Sequence, residues 1–118
     1  MSRSRVPGEH RKGVKEKYFR ERLASGGTIV ADGAMGTMLF ALGAPADEPP
    51  EKINLERPAL LEDIARRYLE AGAEMLQTNT FGASPLKLRR AGLEDRMEEI
   101  NRNAVAAARR VAGDRAYI

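Results

Sequence analysis

Two short apolar runs separated by a helical stripe constrain the fold of this chain more than any other feature. Thr28-Ile29-Val30-Ala31 is rich in β-branched residues and follows Gly26-Gly27, so it reads as a buried strand. Glu74-Met75-Leu76-Gln77-Thr78 reads as a second strand. Between them Pro58 opens a helix whose Leu61, Ile64, Ala65, Tyr68 and Leu69 form one apolar stripe, and Gly72 ends it. Strand, helix and strand in that order make a βαβ unit with parallel strands.

The remaining segments extend this alternation. Residues 1–13 read as a flexible lead containing Pro7, Gly8 and Gly13. Val14, Tyr18, Phe19 and Leu23 then recur at helical spacing up to the stop at Gly26-Gly27. After the first strand, Gly36 to Leu42 predicts a short helix with Met38, Leu39 and Leu42 inward. Gly43 to Asn54, with Pro45, Pro49 and Pro50, reads as an exposed loop. Ser84-Pro85 has the cap and first-turn chemistry of a helix that stops near Gly92. Glu94 to Ala112 is a longer helix with Met97, Ile100, Ala104, Ala108 and Val111 on its inner side, closed by Gly113. Ala116-Tyr117-Ile118 begins a third strand.

Each strand-helix unit takes roughly 40 residues, so eight units would need about 300, close to the size of a closed (β/α)8 barrel. The fold class is therefore α/β, with these 118 residues as the first two to three units of such a barrel. A doubly wound open sheet is the competing architecture. It usually carries G-x-G-x-x-G after its first strand, whereas DGAMGT has only Gly33 and Gly36.

In parallel α/β folds the chemistry gathers where strands end. The first exit is Ala31-Asp32-Gly33-Ala34-Met35-Gly36-Thr37 and the second is Gln77-Thr78-Asn79-Thr80-Phe81-Gly82-Ala83. Asp32 offers a carboxylate to an ammonium. Gly33 and Gly36 let backbone N–H groups approach a ligand closely, or supply the positive φ of an anion-binding nest. Opposite partners side by side suit a zwitterion such as an amino acid. The same residues also fit a plain structural role, with Asp32 capping a turn and Thr78, Asn79 and Thr80 satisfying loop backbone.

Composition removes several other classes. The chain has no cysteine, so it contributes neither disulfides nor thiolate metal ligands, and its one histidine, His10, stands among charged residues. Residues 1–25 hold eight Lys/Arg against three Asp/Glu, which leaves twelve against fourteen for the rest, so the basicity is local. A basic lead of this kind can bind nucleic acid. This one lacks interleaved aromatics and reads as a solvated extension, with no nucleic acid as partner. No apolar run reaches the roughly 18 residues of a spanning helix and no signal core follows the basic start, so no membrane partner is expected and cytoplasm is the default location. Arg66-Arg67, Arg89-Arg90 and Arg109-Arg110 read as solvated helix faces, and Met35 and Met38 as packing. No nucleophile, acid pair or metal cluster is visible, so no catalytic residue is assigned.

Three ordered blocks carry a resemblance. DGAMGTML at 32–39, INLERPALLEDIARRYLEAGAEMLQTNTFGAS at 53–84 and LRRAGLEDRMEEINRNAV at 88–105 resemble the homocysteine-binding domain of homocysteine S-methyltransferases. That family includes cobalamin-dependent methionine synthase and betaine-homocysteine methyltransferase. The resemblance implies a (β/α)8 barrel and the transfer of a methyl group from a donor to the thiol of homocysteine, giving methionine. It implies zinc at the thiol, since the thiolate is the nucleophile. By position it assigns Asp32 to the substrate ammonium and the amides of Gly33, Ala34 and Met35 to its carboxylate. Thr78, Asn79 and Thr80 would line the mouth.

The departures from the family pattern set further expectations. The family draws its zinc ligands from cysteines on later strands, which this chain does not contain. Gln77 stands where many relatives carry an acid. Residues 26–118 are thus expected to form a partial homocysteine-binding barrel domain truncated at its third strand, preceded by a basic extension over 1–25. Its partners would be homocysteine and the remaining barrel segment or downstream domains. The methyl donor, whether cobalamin with methyltetrahydrofolate, betaine or S-methylmethionine, is set by regions outside the chain. The alternative is an inactive truncated or split-subunit module that acts by assembly with another polypeptide.

Overall fold

The computed structural model describes residues 18–118. His10 and the Val14 end of the leading helix lie outside them. The described helices are α1 (Phe19–Ala24), α2 (Gly36–Ala41), α3 (Ile53–Glu56), α4 (Pro58–Glu70), α5 (Pro85–Leu88) and α6 (Met97–Ala112). Short 3-10 turns at Pro50–Lys52, Arg89–Ala91 and Glu94–Arg96 lead into or out of them.

Helices α4 and α6 supply most of the core, and their sequences explain how closely they pack. Helix α4 turns Leu61, Ile64, Ala65 and Leu69 inward, while α6 answers with Ile100, Ala104, Ala107, Ala108, Val111 and Ala112, all buried. Alanines three and four apart form a thin stripe against which the larger α4 side chains seat. Each buried leucine or isoleucine contributes about 1.5–3 kcal/mol. Leu39 of α2 and Ile53 of α3 join Leu61, Ile64 and Ala107 in one cluster, and Leu76 and Ala116 join Leu69 and Val111 in another. Gly72, at φ 111°, turns the chain out of α4 while the Ala73 N–H closes on the Tyr68 carbonyl at 2.9 Å. That conformation is open to glycine and strained for other residues.

The three predicted strands appear as isolated parallel bridges, Ala31 with Met75 and Met75 with Tyr117. The second segment therefore lies between the first and third, in the parallel sense expected, but no strand forms among the described residues. Hydrogen bonding explains the difference. At the start, the N–H groups of Glu74 and Met75 both close on the Val30 carbonyl, at 2.7 and 3.2 Å. At the exit, the Gln77 N–H donates to the Asp32 side chain instead of a backbone carbonyl. The ladder is interrupted at both ends after one bridge.

A second correction concerns Gly43 to Asn54. Only Gly43 and Pro45 to Asp47 are exposed, and Ala44 between them joins the core cluster of Leu39 and Ile53. Pro50 opens a 3-10 turn running into α3, and Glu51, Ile53 and Asn54 are buried. Proline presets the backbone of that turn, and Ile53 anchors it in the core.

Helix α1 buries no residue but ties down the start of the second segment, the end opposite the exits. Arg22 donates to Glu74 at 3.1 Å and to the Thr28 carbonyl at 3.0 Å, and Glu74 also accepts the Val30 N–H at 3.3 Å. Phe19 meets Tyr117 edge-on at 5.4 Å. Glu74→Ala should therefore lower stability by about 1–3 kcal/mol, the cost of stranding a charged partner and a backbone donor. Chemical denaturation of the two proteins checks it.

Candidate functional site

The two exits meet. The Asp32 carboxylate accepts the Gln77 N–H through Oδ2 at 3.0 Å, while the Asp32 N–H donates to the Met75 carbonyl at 2.9 Å. Oδ1 is shielded from solvent and has no hydrogen-bond partner. Burial pushes the carboxyl above the usual aspartate range, with the Gln77 N–H pulling the other way. An acceptor left in this state favours any cation or donor that reaches it.

Residues of the first exit divide between two directions. Gly33 backs onto α4: a Cβ there would lie 3.1 Å from the Tyr68 hydroxyl, which itself donates to the Ala34 carbonyl at 2.7 Å. Neither Gly33 nor Gly36 has positive φ, so the anion nest built on that conformation is excluded, and close approach explains Gly33. Among the described residues, the N–H groups of Gly33, Ala34 and Met35 donate to no protein acceptor. Met35 turns its side chain toward the core, as expected, and so does Met38.

At the second exit the three polar residues separate in role. Thr78 and Thr80 pair hydroxyl to hydroxyl at 2.8 Å, an arrangement that uses one proton and leaves the other to donate elsewhere. Asn79 is buried, and its side-chain amide donates to the Pro50 carbonyl at 3.0 Å and to Asn54 Oδ1 at 2.8 Å. Asn54 in turn donates to the carbonyls of Asn79 at 2.8 Å and Ile100 at 3.1 Å. Asn79 thus holds the loop from within.

A groove of about 790 Å³ opens beside the junction, lined by Met35, Gly36, Asn79, Phe81, Gly82 and neighbours from 50–51 and 86–90. Asp32, Met35, Thr78 and Asn79 also surround a void of about 10 Å³, which admits no more than one water. An amino acid therefore has room in the groove and not in the void. Sequence reasoning missed Glu51, whose Oε2 accepts the Gly82 N–H at 3.0 Å, and Asn54. Their signals were a Pro-Pro pair leading into a turn and a lone amide between Ile53 and Leu55. The paired arginines are exposed, as read from the sequence. Arg67 bridges Asp63 at 3.1 Å and Arg110 bridges Glu62 at 3.2 Å.

These roles separate under mutation. Asn79→Ala removes two hydrogen bonds inside the fold and should cost about 2–3 kcal/mol, whereas Thr78→Ala should cost about 1 kcal/mol or less. Thermal unfolding of both variants tests the ranking, and equal losses would contradict it.

The family described as Homocysteine S-methyltransferase matches residues 29–117. Methionine synthase from Mycobacterium tuberculosis (strain ATCC 25618 / H37Rv) is 40% identical over 92 residues, covering 73% of this chain and 8% of that protein. Homocysteine S-methyltransferase 1 from Zea mays is 36% identical over 62 residues, 51% of this chain and 19% of that protein. An S-methylmethionine-homocysteine S-methyltransferase from Pongo abelii is 33% identical over 95 residues, 79% of this chain and 24% of that protein. The chain spans at most about a quarter of the length of these relatives. With both exits inside the matched region, the chain belongs to the homocysteine S-methyltransferase family.

Proposed function

We propose that this chain forms part of an enzyme moving a methyl group from a donor to the thiol of homocysteine, giving methionine, and that it supplies residues binding the amino acid. Residues 26–118 would be the opening units of a (β/α)8 barrel and 1–25 an extension to it. The two parallel bridges in sequential order support that architecture. A single observation carries the functional reading: Asp32 holds an unsatisfied, buried carboxylate oxygen where the two exits join.

In this reading the homocysteine ammonium would lie at the edge of the groove against the Asp32 carboxylate, beside Met35 and Asn79, which line both the groove and the void next to Asp32. The substrate carboxylate takes the N–H groups of Gly33, Ala34 and Met35, which donate to no protein acceptor among the described residues. The Thr78 and Thr80 hydroxyls border the mouth, and Asn79 keeps their loop in place. Fixing both ends of the zwitterion orients the side chain that carries the sulfur.

Zinc, which the resemblance implies at the sulfur, does not fit the residues of this chain. There is no cysteine in the sequence, and among the described residues no group of three or more His, Asp or Glu is placed to hold a metal ion. The ligands for that ion would come from outside these 118 residues, and so would the methyl donor site. On this basis the chain by itself is expected to be inactive.

The assignment of Asp32 is tested by Asp32→Asn, which keeps an acceptor for Gln77 and removes the charge. Calorimetric titration should show homocysteine affinity falling about 10- to 100-fold, the worth of a charged hydrogen bond. The pH dependence has a defined sign. Because burial raises the folded-state pKa, affinity should decline on acidification at a higher pH than an ordinary aspartate would give. For stability the same shift acts in reverse: Asp32 contributes most in acid, and that contribution is lost as pH rises through the folded-state pKa. The Asn variant should therefore be at least as stable as wild type at neutral pH. Undiminished homocysteine binding by Asp32→Asn would refute the assignment.

A further inference from the structure

We propose that Glu51 is a positioning residue, holding the second exit loop, residues 78–83, in the conformation that presents it to the amino acid; this rests on the reading of the site given above. Glu51 is only 5% exposed and comes from the 3-10 turn before α3. Its Oε2 accepts the Gly82 N–H at 3.0 Å across 31 residues of sequence. A Cβ on residue 82 would lie 2.6 Å from Glu51 Oε1 and 3.0 Å from Cδ, so the loop rests directly on the carboxylate.

A buried carboxylate costs free energy unless hydrogen bonds compensate it. What it stabilises here is a loop with little support of its own. Within 78–83 the main chain closes two bonds, Thr80 N–H to the Thr78 carbonyl at 2.9 Å and Ala83 N–H to the Thr80 carbonyl at 3.1 Å. The other restraints come from elsewhere in the chain. Asn54 donates to the Asn79 carbonyl, the Asn79 amide donates to Pro50 and Asn54, Lys87 donates to the Phe81 carbonyl at 3.3 Å, Asn101 donates to the Ala83 carbonyl at 3.0 Å, and Glu51 accepts the Gly82 N–H. Phe81 is 90% exposed, so packing does not anchor the loop tip.

These restraints differ in what their loss would do. Asn54 is fully buried and also bonds the Ile100 carbonyl of α6, so its loss reaches the core. The Lys87 contact is at the surface and exposed. Glu51 lines the groove, and its carboxylate bonds the loop backbone at Gly82. A carboxylate-to-amide bond is roughly twice as strong as a neutral one. The turn at 50–52 thus holds the loop at two points, Asn79 through the Pro50 carbonyl and Gly82 through Glu51, and Glu51 is the one whose side chain fixes the far side of Thr80.

Amide hydrogen exchange and homocysteine titration on the full chain test this together. In Glu51→Ala, amides of 80–83 should exchange about tenfold faster or more while those of α4 and α6 keep wild-type rates. Homocysteine Kd should rise about tenfold, equivalent to about 1.4 kcal/mol. Glu51→Gln retains an acceptor and should restore both readouts to within about threefold of wild type. Gly82→Ala should reproduce the loosening, and its effect should shrink in the Glu51→Ala background because the clash is with the carboxylate. If Glu51→Ala fails to fold, the Gln and Gly82→Ala variants carry the same comparison. Unchanged loop exchange, or a loosened loop with unchanged Kd, would overturn the role of Glu51. Exchange is read without ligand, so absence of homocysteine binding by wild type would sink the amino-acid-binding reading of the two exits and leave the exchange result to decide the restraint by Glu51.

Discussion

The alanine stripe of α6 against the leucines and isoleucine of α4 is the contact on which the other parts of the structure depend. Ala104, Ala107, Ala108 and Ala112 are too small to hold α4 at a distance, and Leu61, Ile64 and Leu69 fill the space they leave. Each helix precedes one of the later extended segments, so bringing the helices together sets those segments side by side in the parallel sense. With that order fixed, the exits after Ala31 and Leu76 open on the same end. The meeting of Asp32 with the Gln77 N–H follows from helix packing rather than from any attraction encoded in the exits themselves.

Around this apolar frame the interior next to the exits is polar. Glu51, Asn54 and Asn79 are buried within hydrogen-bonding distance of loop backbone, and each bonds a carbonyl or N–H that the irregular loop cannot satisfy internally. Buried backbone polar groups need partners, and a segment without a β-ladder has to obtain them from side chains. The short bridges and the buried amides are therefore two aspects of one arrangement. Asp32 departs from it, because one of its buried oxygens remains unmatched. Groups held at such a cost are commonly functional.

Much of this was legible in one dimension. The apolar stripes of α4 and α6, the Ser84 cap with Pro85 following, and the glycine stops after α4 and α6 were all read correctly, because each rests on local spacing or local backbone chemistry. Ser84 accepts the Lys87 N–H at 3.2 Å, as its cap role requires. The parallel sense of the segments was legible as well, since a helical crossover permits little else. The strands themselves were overread, because bonding to Asp32 and Val30 diverts the donors that would have extended them. The segment before Asn54 was underread, because prolines and acids suggested solvent where the fold buries Glu51 and Asn54.

The sequence by itself determined the helices, their inward faces, the order of the segments and the residue types at both exits, since these depend on periodicity and on neighbours a few positions away. Tertiary structure decided which of those polar residues serve the fold and which keep groups without a protein partner. Asn79 turned inward to Asn54, 25 residues away, Gly33 proved to be a seat for Tyr68, and Glu51 became the support of Gly82. Such pairings depend on how closely α4 and α6 approach and on which donors the interrupted ladder leaves free. Neither quantity is a property of any local stretch of chain.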